Sequence, residues 1–262
     1  MGAHQKIDRA ARKQLTEIIK NDKIFPGTKA ILQFEGKNGP DAIKRKSPSR
    51  DEPWHYYSPF DNEDSQLIEL IKDHYKQLVN ELKQKNAERT AFEAAWLAHA
   101  LVDGLTPAHH YPYEQKLVEL SGGQDILDRT TIFTKWVLPG INTRQRVKNN
   151  WKMWGPKGLI TTHGLFELGV ALLMMPLSFE DATPSKEELK ELSEIGLISW
   201  FINTAREIAV IDIYDIYYRK GWTPKLARIV RNKLGPSIVK TVTLAWYSAL
   251  LEAGLVKSTN TK

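Results

Sequence analysis

The sequence predicts an all-α fold, and two observations favour this class. Over most of the 262 residues, apolar side chains recur every three or four positions, which places them on one face of a helix. Runs of strand length with alternating apolar and polar residues do not occur, and no internal repeat is visible. We therefore expect one all-α domain that spans residues 1–262.

The first three predicted helices have clear apolar faces. Spaced aliphatic residues indicate a helix over residues 10–20. A second helix, over residues 64–85, follows a polar N-cap and repeats Leu or Ile on one face. The third covers residues 88–105 and ends at Gly104 and Pro107, because proline cannot continue the helical hydrogen-bond ladder.

Six further helices are predicted in the second half of the chain. The first two have weak patterns, and the next is apolar almost throughout. The fourth begins at a capping sequence over residues 183–188, and its length suggests an interruption. In chain order, these helices cover residues 125–137, 144–154, 159–175, 183–218, 225–233 and 237–253.

Two segments depart from the helical pattern. Residues 21–62 read as a long loop, in which Gly, Pro, Ser and charged residues replace the apolar spacing. Trp54, Tyr56, Tyr57 and Phe60 would be costly to leave in solvent, so we expect this loop to be ordered and functional. Residues 112–158 read as an insertion that is basic and rich in Trp. Such a segment suits an anionic membrane surface or single-stranded nucleic acid, unless its Trp side chains simply pack on the core.

Composition limits the class of protein and the chemistry open to it. The chain is 42% hydrophobic and 26% charged, which excludes an intrinsically disordered protein. It has no cysteine, so disulfide partners, thiolate ligands and a cysteine nucleophile are excluded, and a metal site would use His, Asp and Glu. The net charge of +6 favours anionic partners.

The location of the chain is predicted from its apolar segments. We expect no transmembrane span, because the most apolar stretch, residues 158–176, carries His163 and Glu167 near its centre. The first residues have neither the apolar segment nor the cleavage pattern of a signal peptide. A cytoplasmic protein is therefore expected from the chain as written, and an exported one if the natural N-terminus is longer.

Histidine and carboxylate residues occur at spacings that suit metal ligands. His99 and Asp103 are four residues apart on a predicted helix, so both project from one face, and so do His163 and Glu167. The break at Pro107 turns the following histidines back toward the same face. Imidazole nitrogen and carboxylate oxygen together are the ligands of catalytic zinc. A single pair of this kind is more often a hydrogen-bonded pair without metal, but the combination favours a zinc cluster.

The central sequence resembles a known family, the zinc-dependent phospholipase C and single-strand-specific P1-type nuclease superfamily. The resemblance lies in Trp96-Leu97-Ala98-His99-Ala100-Leu101-Val102-Asp103-Gly104-Leu105-Thr106-Pro107-Ala108-His109. It extends to His163-Gly164-Leu165-Phe166-Glu167, to Asp41 and His55 in the long loop, and to His4. The resemblance implies a helical bundle of the phospholipase C/P1 nuclease type that buries a cluster of zinc ions.

The resemblance also implies which residues would bind each ion. The first zinc would be held by Asp41, His55, His99 and Asp103, the second by His109, His163 and Glu167, and a third by His4 and Asp103. In the family, an N-terminal Trp completes the third site, and no Trp precedes His4 here, so two ions are better supported than three. His110 is an alternative to His109, although the register of Asp103 favours His109. His74 is expected to be structural or solvated.

The expected activity is phosphoester hydrolysis by a phospholipase C-like phosphodiesterase. Metal ions would activate water for attack on phosphorus, and the resemblance makes Asp41 the candidate proton acceptor. Lys44, Arg45 and Tyr56 are candidate substrate-binding residues, and the basic run over residues 44–50 could contact phosphate or simply be solvated. Two alternatives remain: a single-strand-specific nuclease with the same cluster, and a non-catalytic binding protein stabilised by metal.

Overall fold

The computed structural model describes residues 2–48, 53–123 and 129–257. All regular secondary structure in these ranges is helical, so the expectation of an all-α protein is confirmed. The α-helices are α1 (Ala3–Ile19), α2 (Thr28–Gln33), α3 (Pro40–Lys46), α4 (Gln66–Gln84), α5 (Ala87–Leu105), α6 (Tyr113–Ser121), α7 (Ile132–Trp136), α8 (Thr143–Trp154), α9 (Leu159–Met174), α10 (Lys186–Ala209), α11 (Ile213–Lys220), α12 (Pro224–Ile229) and α13 (Gly235–Glu252).

Helices α5 and α13 form the centre of the core. Helix α5 packs against α1, α2, α4, α10 and α13, and most of its side chains are buried. Its alanines allow this close approach, because they leave room for the larger side chains of neighbouring helices. Trp246 of α13 is fully buried, and its indole N–H donates to the carbonyl oxygen of Ala94 at 3.0 Å. Helix α5, which carries His99 and Asp103, therefore lies at the centre of the core.

The long segment between α1 and α4 is more helical than the sequence suggested. The expected loop over residues 21–62 contains α2, α3 and a 3₁₀ turn at Asp22–Ile24. Helix α3 begins with Pro40 at its first position and has Asp41 in its first turn, and both residues favour a helix start. These helices are shorter than two turns, too short to show an apolar period, which is why the sequence did not reveal them.

Several predicted helix boundaries also need correction. Helix α1 begins at Ala3 rather than at residue 10, which places His4 in its first turn. The helix expected over residues 183–218 is divided into α10 and α11, and α10 is itself kinked at Gly196, whose φ of 77° lies in the left-handed region. One helix is expected over residues 125–137. Residues 124–128 lie outside the described ranges, and in the remainder of this segment Ile132–Trp136 is helical.

Helix α9 joins the core to the second half of the site. Its inner side buries Phe166, Val170 and Met174 against the main core, and it packs on α1 and α8. A smaller apolar cluster, which includes Tyr113 and Met153, lies beneath α6 and α8. None of the described helices combines the length and apolar character needed to cross a bilayer.

Candidate metal centre

The predicted ligand residues meet around one cavity of about 500 Å³. They come from four separate parts of the fold: the start of α1, helix α3 with the segment that follows it, the end of α5 with the turn after it, and helix α9. The cavity is lined by the predicted residues His4, Asp41, Lys44, Arg45, Tyr56, Asp103, His109, His163 and Glu167. His55 and His99 are buried directly behind this lining.

Asp103 lies at the middle of the first group of ligand atoms. His99 Nε2 is 3.2 Å from Asp103 Oδ2 and 3.9 Å from Asp41 Oδ1. His55 Nδ1 contacts the same oxygen of Asp103. The one-turn spacing of His99 and Asp103 on α5 brings this pair together, as their positions in the sequence predicted.

His4 reaches the same group from α1. Its imidazole stacks on the ring of His99, with 4.1 Å between the ring centroids, and its Nε2 is 3.4 Å from Asp103 Oδ1. The two oxygens of Asp103 therefore face different histidines, with His4 on one side and His55 and His99 on the other. Either oxygen of Asp103 would therefore be available as a ligand for a bound cation.

A second group lies at α9 and adjoins the first through His109, whose Nδ1 is 3.8 Å from Asp103 Oδ1. The Nε2 atoms of His109 and His163 are each 2.9 Å from Glu167 Oε1. The 3₁₀ turn Pro107–His110 presents His109 to the cavity, and the Nδ1–H of His109 donates to the carbonyl oxygen of His55 at 2.7 Å. His110 turns away, with its Nε2–H donating to the carbonyl oxygen of Gly104 at 2.8 Å. The structure therefore groups His109, and not His110, with His163 and Glu167.

The carboxylates at the centre of both groups are ionised. Burial alone would raise the pKa of Asp103, but the surrounding His99, His109 and His55 outweigh burial and hold this pKa well below its usual value. Burial likewise opposes the ionisation of Glu167, yet its contacts with His109 and His163 bring its pKa well below the usual value. Each group therefore has a fixed negative charge to attract a cation.

Four histidines of the site, His55, His163, His99 and His109, fall into two classes by the direction of their pKa shifts. Burial lowers the pKa of His55 to about 3 and also lowers that of His163, so both imidazoles are neutral near pH 7 and keep a lone pair for a metal. Burial also disfavours the charged forms of His99 and His109, but the attraction of Asp103 overcomes it and raises both pKa values. The same negative potential that attracts a proton to these two rings would attract a cation in its place.

The residues present fit zinc by their chemistry and spacing. Three sets offer atoms within 4.8 Å of one another, and they are His4–His99–Asp103, Asp41–His55–His99 and His109–His163–Glu167. Tetrahedral zinc with ligands at about 2.1 Å separates neighbouring ligand atoms by roughly 3.4 Å, so these spacings need only small adjustments. His55 Nε2 is buried without a hydrogen-bond partner among the described residues. Buried imidazole nitrogens rarely remain unpaired unless a ligand completes them.

Glu35 is a buried residue of this site that the sequence did not reveal. It lies between α2 and α3, and its two carboxylate oxygens are 3.1 and 3.3 Å from Nδ1 of His99. This contact directs Nε2 of His99 toward Asp103 and Asp41. Glu35 has no ligand-like spacing to another residue, so no sequence signal could have found it. It also raises the pKa of Asp8, a second buried carboxyl, although burial is the larger cause there.

The cavity wall combines charge with apolar surface. Lys44 Nζ lies 5.3 Å from the ring centroid of Tyr56, and this ring stacks on Tyr113 at 5.5 Å. Asp41 is about half exposed at the cavity mouth, and Arg45 also lines the cavity. The lining also includes apolar side chains, namely Ile7, Ile160, Leu168, Val170, Met174 and Ile238. Ser49 and Arg50, the end of the predicted basic run, lie outside the described residues.

His74 lies away from the cavity, on α4. It is buried, and its Nδ1 is 2.7 Å from Glu93 Oε2, as expected for a structural histidine. It is grouped with none of the candidate ligand sets.

Comparisons with known protein families, with curated proteins and with solved structures found no match for this chain.

Proposed function

We propose that this chain is a metal-dependent phosphoester hydrolase with a fold of the phospholipase C/P1 nuclease type. One observation carries the proposal: ligand-type residues that are more than 160 positions apart in the sequence converge on the wall of a single cavity. A histidine that only packs in a core needs one hydrogen-bond partner, as His74 has in Glu93. Five histidines around three carboxylates exceed that need, whereas a multinuclear metal site requires such a set.

The ligand roles follow the groups of atoms. Asp41, His55, His99 and Asp103 would hold one zinc ion, and His109, His163 and Glu167 would hold a second. His4 and Asp103 face a third position. Bound zinc would supply a nucleophilic water near neutral pH and would neutralise charge that develops on the phosphoryl oxygens.

The residues around the ligands have separate roles in the proposed reaction. Asp41 is the most exposed carboxylate of the set and lies at the cavity mouth, where it can accept a proton from an incoming water. Lys44 and Arg45 line the same mouth and can bind the non-bridging oxygens of a phosphodiester. Glu35 orients His99 through Nδ1.

The shape of the cavity favours a phospholipid-type substrate. Its lining combines Lys44 and Arg45 with many aliphatic side chains, which suits the glycerol and acyl portion of a lipid beside a charged phosphate. The stacked rings of Tyr56 and Tyr113, with Trp136 beside them at the cavity, favour a second candidate, a nuclease that stacks bases of a single strand. Aliphatic side chains line more of the cavity than aromatic ones do. We therefore rank a phosphodiesterase that acts on lipids above a nuclease.

Metal content tests the proposal directly. After zinc reconstitution and dialysis, elemental mass spectrometry is expected to give two or three zinc ions per chain. The variant His163→Gln should lose about one ion per chain. The matched control is His74→Gln, because His74 is also a buried histidine beside a carboxylate but lies outside the cluster. No bound zinc in the wild-type chain, or equal loss in both variants, would reject the proposal.

Activity then separates the two substrates. We expect the zinc-loaded chain to hydrolyse phosphatidylcholine or phosphatidylglycerol dispersed in detergent, and His163→Gln to lose this activity. Faster cleavage of single-stranded oligo(dT) than of any lipid would favour the nuclease. Two bound zinc ions without hydrolysis of either substrate would instead favour a non-catalytic metal-stabilised protein.

A further inference from the structure

Helices α7, α8 and α9 leave an unusual amount of apolar surface exposed. On α7 and α8 the exposed apolar side chains are Ile132, Phe133, Val147, Trp151 and Trp154. On α9 they are Leu165, Leu168 and Leu172, followed by Met175 just after the helix. Single exposed apolar residues are ordinary, but a concentration of this kind on adjoining helices is typical of an interaction surface. We call this set of residues the α7–α9 face.

The α7–α9 face is also strongly basic. No Asp or Glu occurs between residues 129 and 166. Two of the cations in this stretch, Arg129 and Lys135, are buried. The exposed ones are Arg144, Arg146, Lys148, Lys152 and Lys157. The face therefore offers positive charge beside exposed Trp and Phe rings, which is complementary to a surface with negative charge outside and an apolar interior.

The face is a structured surface that adjoins the metal cavity. The guanidinium of Arg146 is 5.9 Å from the ring centroid of Phe133, and the indole N–H of Trp154 donates to the carbonyl oxygen of Trp136 at 2.9 Å. Trp136 lines the metal cavity and also a groove of about 700 Å³ between α7 and α8. Leu168 of α9 is exposed and lines the metal cavity as well. The cavity therefore opens beside the face.

We propose that the α7–α9 face docks this protein on an anionic phospholipid bilayer. Exposed Trp and Phe side chains enter the interfacial region, the aliphatic side of α9 contacts the acyl boundary, and the exposed cations bind lipid phosphates. Docking in this orientation brings the cavity mouth to the level of the headgroups. The proposal rests on surface residues and not on the metal ligands, so it stands apart from the proposed hydrolase activity.

Two other binding partners for the α7–α9 face agree less well with its exposed residues. A single-stranded nucleic acid would pair with the cations and stack on the rings, but it would leave the leucines of α9 in water. A second copy of the chain in a two-fold symmetric dimer would bring the basic face against itself, because such an interface uses the same patch on both subunits. Only a surface that is both anionic and apolar satisfies the whole α7–α9 face.

Vesicle co-sedimentation tests the proposal with the full chain in EDTA, so that binding is measured independently of any metal or hydrolysis. The probe is vesicles of phosphatidylcholine with 30% phosphatidylglycerol, about one lipid in three. We expect the protein to bind them at least about 25-fold more tightly than vesicles of phosphatidylcholine alone, because each surface cation raises the affinity for an anionic membrane about fivefold. The double variant Phe133→Ser/Trp151→Ser should bind anionic vesicles at least about tenfold more weakly. Its control is Phe60→Ser, because Phe60 is 65% exposed, close to Phe133 at 63% and Trp151 at 68%, but lies outside the α7–α9 face.

Charge reversal tests the basic component separately. Arg144→Glu/Lys148→Glu should weaken binding to anionic vesicles by at least about 25-fold. Lys76→Glu/Lys83→Glu on α4, which changes the net charge equally, should weaken it far less.

Three results would overturn the proposal. They are no preference for anionic vesicles, equal effects of the α7–α9 and control variants, and a Trp151-dependent dimer or oligo(dT) complex with no vesicle binding. Circular dichroism of each variant establishes that it is folded.

Discussion

Replacement of Glu35 by Gln should weaken zinc binding without unfolding the metal-free protein. The carboxylate of Glu35 is buried and lies 3.1 and 3.3 Å from Nδ1 of His99. This contact keeps the opposite nitrogen, Nε2, aimed at Asp103 and Asp41. Glutamine has nearly the same shape and can still accept from Nδ1–H, but it lacks the charge that makes the imidazole a stronger ligand.

The size of the effect can be estimated from this geometry. Loss of a carboxylate that orients a ligating histidine typically costs 10- to 100-fold in metal affinity, which is about 1.4–2.7 kcal/mol. Because Gln keeps one hydrogen bond, we expect Glu35→Gln to lower zinc affinity about tenfold. Glu35→Ala should lower it about 100-fold. In the metal-free protein two effects oppose each other: His99 loses a favourable contact, while buried Asp8 loses a carboxylate that raises its pKa. The melting temperature in EDTA should therefore change by less than about 3 °C.

The assay is a zinc titration against a chromophoric chelator, with thermal unfolding measured in EDTA. Glu93→Gln is the matched control, because Glu93 is an equally buried carboxylate that contacts a histidine, His74, outside the cluster. This control should lower the melting temperature, since Glu93 also pairs with Arg89, and should leave zinc affinity unchanged. Zinc affinity that is the same in Glu35→Gln and in the wild type would refute the positioning role of Glu35.

Two further predictions concern stability. Asp8 is buried and its Oδ2 has no hydrogen-bond partner among the described residues, and burial followed by Glu35 raises its pKa. The folded state therefore holds this proton more tightly than the unfolded state, and stability falls as pH rises from about 4 through the raised pKa. In EDTA at pH 7, Asp8→Asn should therefore raise the melting temperature by at least about 2 °C, and this gain should vanish near pH 4. A variant that melts at a lower temperature than the wild type at pH 7 would contradict the prediction. On α9, a Cβ added at Gly169 would lie 2.3 Å from the Trp222 ring, whereas one added at Gly164 meets nothing within 4 Å. By chemical denaturation, Gly169→Ala should lose about 1–3 kcal/mol and Gly164→Ala should gain about 0.5–1 kcal/mol, and equal changes in the two variants would show that the Trp222 contact is not restrictive.

The sequence predicted best those parts of the site that lie within a single helix. His99 with Asp103, and His163 with Glu167, are each one turn apart on a long helix, so their spacing predicts their contact without knowledge of the fold. Pro107 ends α5, and this break explains why His109 returns to the cavity. Local rules alone determine these relationships.

Contacts between segments were beyond local rules. Glu35 meets His99 across 64 positions of sequence, and nothing in the residues around Glu35 distinguishes it from any other loop carboxylate. Lys135 is a second example, because it is buried and its ammonium donates to the carbonyl oxygen of Lys44 at the end of α3. The contact of His109 with Glu167 likewise depends on where α9 packs, and that is a property of the tertiary structure.

The protonation of the cluster shows how the fold and the proposed metal depend on each other. Asp103 is ionised although it is buried, and an isolated buried charge is costly, whereas the ionised Glu167 is about half exposed. Without metal, the raised pKa values of His99 and His109 supply the compensating positive charge. Divalent cations would perform the same role more effectively, and they would displace those protons as they bind. Zinc binding should therefore release protons and stabilise the fold most near neutral pH, where this displacement costs less than it does in acid.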